Sequence, residues 1–184
     1  MTGSDRHSCF TSACHSSLSA RIMQIRAFQP ADLQRLYEID QSCFSPGISY
    51  SKRELEGFIR HRNSMTWVAE EGKETVGFLI ANRHPTRPLG HIITLDVVEA
   101  WRRRRVGTAL MEAVEEWARR RRFISISLET AENNLPAQAF YERRGYTRFD
   151  RLEHYYADGT AAWTMVRWLV PPRVWQKQGA KPRR

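Results

Sequence analysis

Residues 95–110 read LDVVEAWRRRRVGTAL: an apolar run, four consecutive arginines, then Val106-Gly107-Thr108 opening a helical pattern. That order sets a cationic turn against a helix start, where unpaired N–H groups and about half a positive charge make a natural anion site. Gly107 lets the backbone approach an anion closely, and Thr108 can add a hydroxyl donor. The chemistry such a turn suits is pyrophosphate binding. Neither G-x-x-x-x-G-K-[ST] nor G-x-G-x-x-G is present, which argues against a P-loop or a doubly wound dinucleotide site. Taken alone, the four arginines are read equally well as a solvated surface.

A second cluster removes that ambiguity. Residues 128–146, LETAENNLPAQAFYERRGY, resemble the signature of the GNAT acetyltransferases, in which a strand ending L-E-V is followed by N-x-x-A-x-x-x-Y-E-x-x-G-F. The arginine run is similar to that family's acyl-CoA motif, Q/R-x-x-G-x-G/A, with Arg102 at its first position and Gly107 at its last. The resemblance covers residues 22–170 and departs from the pattern where the first motif glycine is Arg105. An L residue there is expected at negative φ, its side chain pointing outward or clamping the nucleotide phosphates.

The resemblance implies a mixed, mostly antiparallel α/β sheet with a central splayed parallel strand pair and helices on both faces. The splayed edges, Leu95–Val98 and Ile126–Thr130, would admit the pantetheine arm of acetyl-CoA, the acyl donor. Backbone groups around Leu95 and Val97 would hydrogen-bond that arm. Arg102, Arg103, Arg104, Arg105, Val106, Gly107 and Thr108 would surround the pyrophosphate. Asn134 would contact the pantetheine, and Tyr141 matches the family tyrosine beside the CoA sulfur.

The chemistry needs these parts. An acceptor amine is mostly protonated at neutral pH and must lose a proton before it attacks a thioester. Glu129, at a strand end, can take that proton directly or through water. The departing thiolate needs a proton, and a phenol of ordinary pKa near 10 can give it, which suits Tyr141. The plainer readings are a core aromatic at Tyr141 and a surface charge at Glu129. Asp96 and Glu132 are lesser candidates for a base or for holding the cationic amine. The mechanism requires no metal. His7, Cys9, Cys14 and His15 fit no paired zinc-ligand spacing.

Among GNAT members the chain looks most like the ribosomal-protein alanine N-acetyltransferase (RimI-like) branch, whose acceptor is a protein N-terminal α-amine. By that analogy Phe44, Ile48, Tyr50, Tyr155 and Tyr156 face the acceptor. An α-amine, of pKa near 8, is deprotonated at lower cost than lysine at about 10.4. The runner-up acceptor is a small amine: a polyamine, an amino acid or an aminoglycoside. From a different class stands a basic RNA- or ribosome-binding module, for which no reader motif or interleaved exposed aromatics are present.

These residues need an ordered scaffold. Ile22–Phe28 reads as a strand and Pro30 as N1 of a helix running to Asp40. Ser45-Pro46-Gly47 is a loop. Ser51 and Glu54 form a capping box for a second helix. Met65–Glu70 and Thr75–Asn82 make a hairpin, and Gly90–Val98 a further strand. Val106, Leu110, Ala113, Val114 and Trp117 recur at helical spacing, with Glu115/Arg119 and Glu116/Arg120 as i,i+4 pairs. Ile124, Ile126 and Leu128 alternate with serines as a one-face strand. Asn134, Pro136 and Gly145 frame a helix. Tyr146–Tyr155 and Ala161–Leu169 close the order β-α-α-β-β-β-α-β-α-β-β.

At 184 residues the chain reads as one domain, and no apolar run approaches a membrane span. Three cysteines argue for a reducing, cytoplasmic setting rather than a disulfide framework. Residues 1–21 read as a disordered leader or start-site artefact, and 171–184 as a basic flexible tail whose sharper reading is a ribosome contact. The net +9 divides unevenly: +1 on residues 1–21, +5 on 171–184 and +3 on 22–170. Arg102–Arg105 carry +4 of the domain's charge, which points to a nucleotide-bearing cofactor more than to a nucleic-acid polymer, and no specific nucleic-acid contact is expected.

Overall fold

A computed structural model of the chain describes residues 23–44 and 48–170. The leader with its histidines and cysteines, the Ser45-Pro46-Gly47 loop and the basic tail lie outside the described residues. The order of elements follows the sequence pattern: β1 (Met23–Ala27), α1 (Leu33–Cys43), α2 (Lys52–Arg60), β2 (Ser64–Glu71), β3 (Glu74–Arg83), β4 (Leu89–Val97), α3 (Val106–Arg120), β5 (Ser125–Ala131), α4 (Leu135–Glu142), β6 (Thr147–Leu152) and β7 (Ala162–Trp168). The strands form one sheet in the order β1-β2-β3-β4-β5-β7-β6, antiparallel except for β4 and β5.

Local chemistry sets the boundaries. Pro30 opens a single 3-10 turn, Pro30–Asp32, before α1 begins at Leu33, so the first helix starts later than its proline suggests. Asp32 accepts from the Gln29 N–H at 2.7 Å and from Arg26, which also holds Glu70 on β2. These bonds tie the start of the first helical segment to the edge of the sheet. Ser51 and Glu54 make the expected capping box of α2. After α4 the chain turns at Gly145, whose φ of +82° suits glycine, and the Tyr146 N–H reaches back to the Tyr141 carbonyl.

Two apolar clusters, one on each face, fasten the helices. Leu36, Ile39 and Leu55 of α1 and α2 pack on Val68, Phe78 and Ile80. Val106, Leu110, Val114 and Ala118 of α3, with Tyr141 of α4, pack on Leu79, Ile92, Ile126 and Met165. Ile124 is a correction to the alternating strand: it precedes β5 and is exposed, so the buried face begins at Ile126. Glu115 does more than pair along its helix. Only 2% exposed, it receives Arg144 at two oxygens (3.1 Å each) and Arg167 at 2.6 Å, joining α3 to the segment after α4 and to β7. Among the described residues no helix is long and apolar enough to cross a membrane.

Two irregularities position the site. In the β3–β4 ladder Thr94 pairs with Ile80 and Ile92 with Ala81, leaving Ile93 as an extra residue, a β-bulge. The parallel ladder is short as well: it consists of Leu89–Ser125, Gly90–Ile126 and His91–Ser127. Beyond those pairs β4 and β5 part. The divergence starts after Ser127, so Ile126, expected on a splayed edge, is still paired.

Candidate active site

Where the strands part, a cleft of about 710 Å³ opens. Its walls come from the end of α1, the α1–α2 connection, β4, β5, α4 and the β6–β7 turn. Leu95, Glu129, Asn134 and Tyr141 all line it, as do the acceptor-side residues Phe44, Ile48, Tyr50, Tyr155 and Tyr156. Residues spread over more than a hundred positions in sequence thus meet at one opening.

The arginine turn lies at the head of α3. Arg105 is its N-cap residue and makes no side-chain cap bond, and the first helical N–H to find a carbonyl is that of Ala109. By helix geometry the amides of Val106, Gly107 and Thr108 lack intrahelical acceptors. The expected negative φ at Arg105 is overturned: Arg105 sits at φ +65° and Arg103 at +61°. Left-handed residues just before a helix start are the backbone arrangement that makes an anion-binding concavity. An L side chain there costs about 1–2 kcal/mol. A Cβ on Gly107 would lie 3.6 Å from Phe140 and 3.8 Å from Val97, ordinary contact. Packing at that position therefore does not by itself require glycine.

The four arginines do different things. Arg102 folds back, donating from Nε to the Val97 carbonyl at 3.1 Å, and Arg104 stacks on Trp101, 4.9 Å from the ring centre. Cys43 Sγ also reaches the Val97 carbonyl, at 3.4 Å. That carbonyl is consequently already engaged, which leaves the other unpaired backbone groups of β4 beyond Ile92 to meet an extended arm. An uncapped helix start, cationic side chains and an open strand edge fit a pyrophosphate-bearing pantetheine thioester.

Tyr141 is buried, and burial, with Asp96 and Tyr156 nearby, pushes its phenol well above the usual range. It keeps its proton at neutral pH. Glu129 is not a free surface charge. Its side chain is 17% exposed, His91 Nε2 donates to its Oε2 at 2.6 Å, and Thr164 Oγ1 lies 3.4 Å from Oε1. Desolvation draws the His91 imidazole down, against the Glu129 carboxylate. Asn134 caps α4 through Oδ1 to the Ala137 N–H (3.2 Å), which leaves its amide nitrogen to the cleft. Gln138, behind it, donates to the Ala131 and Glu132 carbonyls at 2.9 Å each, fixing α4 against the end of β5.

The lesser candidates separate. Glu132 pairs with Arg151 at 2.8 Å and is absent from the cleft walls. Asp96 is 1% exposed and lies behind the wall. His91 was missed by the sequence reading. Its one signal is a basic residue between Gly90 and Ile92 in a strand pattern; only the β4–β5 register brings it to Glu129. Among the described residues no group of three or more His, Cys, Asp or Glu is placed to hold a metal.

Comparison with known proteins agrees with this geometry. The model of the acetyltransferase (GNAT) family matches residues 33–146. The chain is 31% identical over 120 residues to N-alpha-acetyltransferase 30 of Schizosaccharomyces pombe, covering 64% of this chain and 80% of that protein. Its fold superposes on Ard1 from Thermoplasma volcanium with a TM-score of 0.72 at 29% identity, over 80% of this chain and 98% of that one. It superposes on the Escherichia coli ribosomal-protein-S18-alanine N-acetyltransferase with a TM-score of 0.71 at 20% identity, over 79% and 92%; that likeness is one of fold. The arginine turn itself, residues 102–108, is not among the residues that line the cleft but sits at the head of α3. An open sheet with a parted parallel pair is the architecture of this family, and the chain belongs to the GNAT acetyltransferase family. It is an N-acetyltransferase that uses acetyl-CoA as acyl donor.

Proposed function

We propose that this enzyme acetylates the N-terminal α-amine of a peptide or protein. The observation that carries the reading is the composition of the cleft. Phe44, Ile48 and Tyr50 stand on one side and Tyr155 and Tyr156 on another, with Glu129 and Tyr141 also in its walls. Apolar and phenolic walls suit a first residue and its backbone. Support also comes from relatives that carry the name N-alpha-acetyltransferase.

In this reading Arg103, Arg104, Arg105, Val106, Gly107 and Thr108 hold the pyrophosphate, with Arg102 fixing the turn at Val97. Leu95, the open edge of β4 and Asn134 line the pantetheine arm. Acetyl-CoA, when bound, supplies the activated acyl carbon. Glu129, oriented by His91, takes a proton from the nitrogen, directly or through water. Tyr141 gives its proton to the departing sulfur. Both groups act inside a cleft whose walls exclude much of the solvent, which strengthens each interaction.

The catalytic unit is residues 22–170, flanked by the leader 1–21 and the basic tail 171–184, the tail being the part suited to a ribosome contact. The three cysteines suit a reducing cytoplasm. The deciding experiment offers acetyl-CoA with N-terminal peptides, polyamines, amino acids and aminoglycosides, and reads free-thiol release. Faster turnover on peptides, with acetate on the α-amine, supports the proposal; turnover confined to small amines overturns it.

A further inference from the structure

The bulge at Ile93 has an effect on the far side of β4. It leaves Leu95 and Val97 in the α3-side cluster. Asp96 pairs with Phe78, a member of the cluster beneath α1 and α2. Asp96 is 1% exposed. Its Oδ1 accepts from Thr94 Oγ1 at 2.7 Å, while its Oδ2 has no partner. An unsatisfied buried carboxyl oxygen is costly, and nothing in the packing requires one here. Thr94, in contrast, lines the cleft. The two side chains lie two residues apart on one strand and so share a face, Thr94 at the cleft and Asp96 next to it in the buried interior.

We propose that Thr94 and Asp96 form a relay that anchors the acceptor ammonium and takes its first proton. The inference rests on the α-amine reading above. Thr94 Oγ1 donates its hydrogen to Asp96 and keeps a lone pair for an N–H of the ammonium. With Asp96 in its ionised form, the ammonium hydrogen passes to Oγ1 as the Thr94 hydrogen passes to the carboxylate, leaving a neutral amine and a neutral carboxylic acid.

This assignment resolves a count of protons. The nitrogen must lose two, one before attack and one as the amide forms. The Thr94–Asp96 relay takes the first and Glu129 the second, while Tyr141 delivers one to sulfur. The sum is ammonium plus thioester giving amide, thiol and one proton released to solvent.

The surroundings suit the role. Asp40 and Cys43 of α1, Tyr50 of the α1–α2 connection, Tyr141 of α4 and Arg102 of the phosphate turn are the titratable groups that bear on Asp96. Burial is the main cause that moves the Asp96 carboxyl, with Asp40 raising it and Thr94 and Arg102 lowering it, and the result is a group pushed up to about 8. An α-amine ordinarily titrates near 8 too. Two groups of matched pKa exchange a proton at little cost.

The test uses the full chain with CoA bound and measures, by calorimetry at pH near 8, two ligands. One is a short peptide beginning with methionine; the other is the same peptide with the α-amino group replaced by hydrogen. A charge-assisted bond predicts that wild type binds the amine-bearing peptide about tenfold or more tighter. Asp96→Asn and Thr94→Val should erase that preference while leaving acetyl-CoA affinity unchanged, and Thr94→Ser should retain it. Equal weakening of both peptides, or an intact preference in Thr94→Val, overturns the relay. Thr94→Val and Thr94→Ser decide the matter even if Asp96→Asn fails to fold. A wild-type enzyme that acetylates no peptide α-amine rejects the underlying reading instead, and is seen separately in the turnover assay.

Discussion

His91 Nε2 stands 2.6 Å from Glu129 Oε2, bridging β4 and β5 where their parallel ladder ends at His91 and Ser127. The bond orients the carboxylate at the mouth of the cleft, and it gives the proposed base a neighbour that titrates. Glu129→Gln should lower kcat about a hundredfold, in line with loss of a general base. His91 is drawn below its usual pKa, so it is neutral at pH 7 and protonates only in more acid solution. Its charging strengthens its hold on the Glu129 carboxylate and weakens that group as a base. Wild-type activity should therefore fall toward acid pH, and a pH–rate profile of His91→Gln should lose that part of the fall. An unchanged profile would remove His91 from the account.

Tyr141→Phe should reduce kcat by about a hundredfold or more while leaving acetyl-CoA affinity within about twofold. The phenol is buried and kept protonated, so its loss removes a proton donor and little binding surface. Calorimetry and steady-state rates on the same preparation check both halves.

Arg105 occupies left-handed backbone at φ +65°. Arg105→Gly should raise stability by about 1 kcal/mol, read from the midpoint of denaturant unfolding. The same variant should bind acetyl-CoA more weakly at low salt, with the gap closing as salt is added. A β-branched substitute at this position should destabilise instead.

Glu115 is nearly fully buried among Arg144, Arg167 and Arg119. Glu115→Ala leaves two guanidinium groups facing an apolar interior and should cost about 3–5 kcal/mol in unfolding free energy. Chemical denaturation measures it. A loss confined to activity, with stability intact, would contradict a structural role.

Asp96 makes stability depend on pH with an uncommon sign. Its folded-state pKa, about 8, lies above its ordinary value of 3.8. Its contribution is therefore full below pH 4 and declines as pH rises toward 8. Asp96→Asn should raise Tm at pH 8 by more than at pH 5. Equal shifts at both pH values would show that burial does not raise the pKa of this carboxyl.

The scaffold was largely legible in the sequence because its signals are local. Ser51 and Glu54 cap α2, Asn134 and Pro136 open α4, Gly145 closes it, and period alone separates α3 from the strands. The turn before α3 and the place of Tyr141 on α4 were legible through a motif with fixed spacing. What stayed hidden depends on register. His91 and Glu129 are far apart in sequence, and nothing local says they face one another. The extra residue at Ile93 leaves no composition mark, yet it sets which face of β4 Thr94 and Asp96 share. The positive φ of Arg105 was hidden because an L residue ordinarily avoids that region and only the tight turn before α3 imposes it.

The most direct test of the central claim is acetyl transfer to defined acceptors, followed by free-thiol release and by the mass and position of the acetyl group. Peptides with a free N-terminus should turn over, gain one acetyl group on the α-amine and lose activity when that amine is blocked. Turnover on polyamines, amino acids or aminoglycosides with none on any N-terminal peptide would contradict the account.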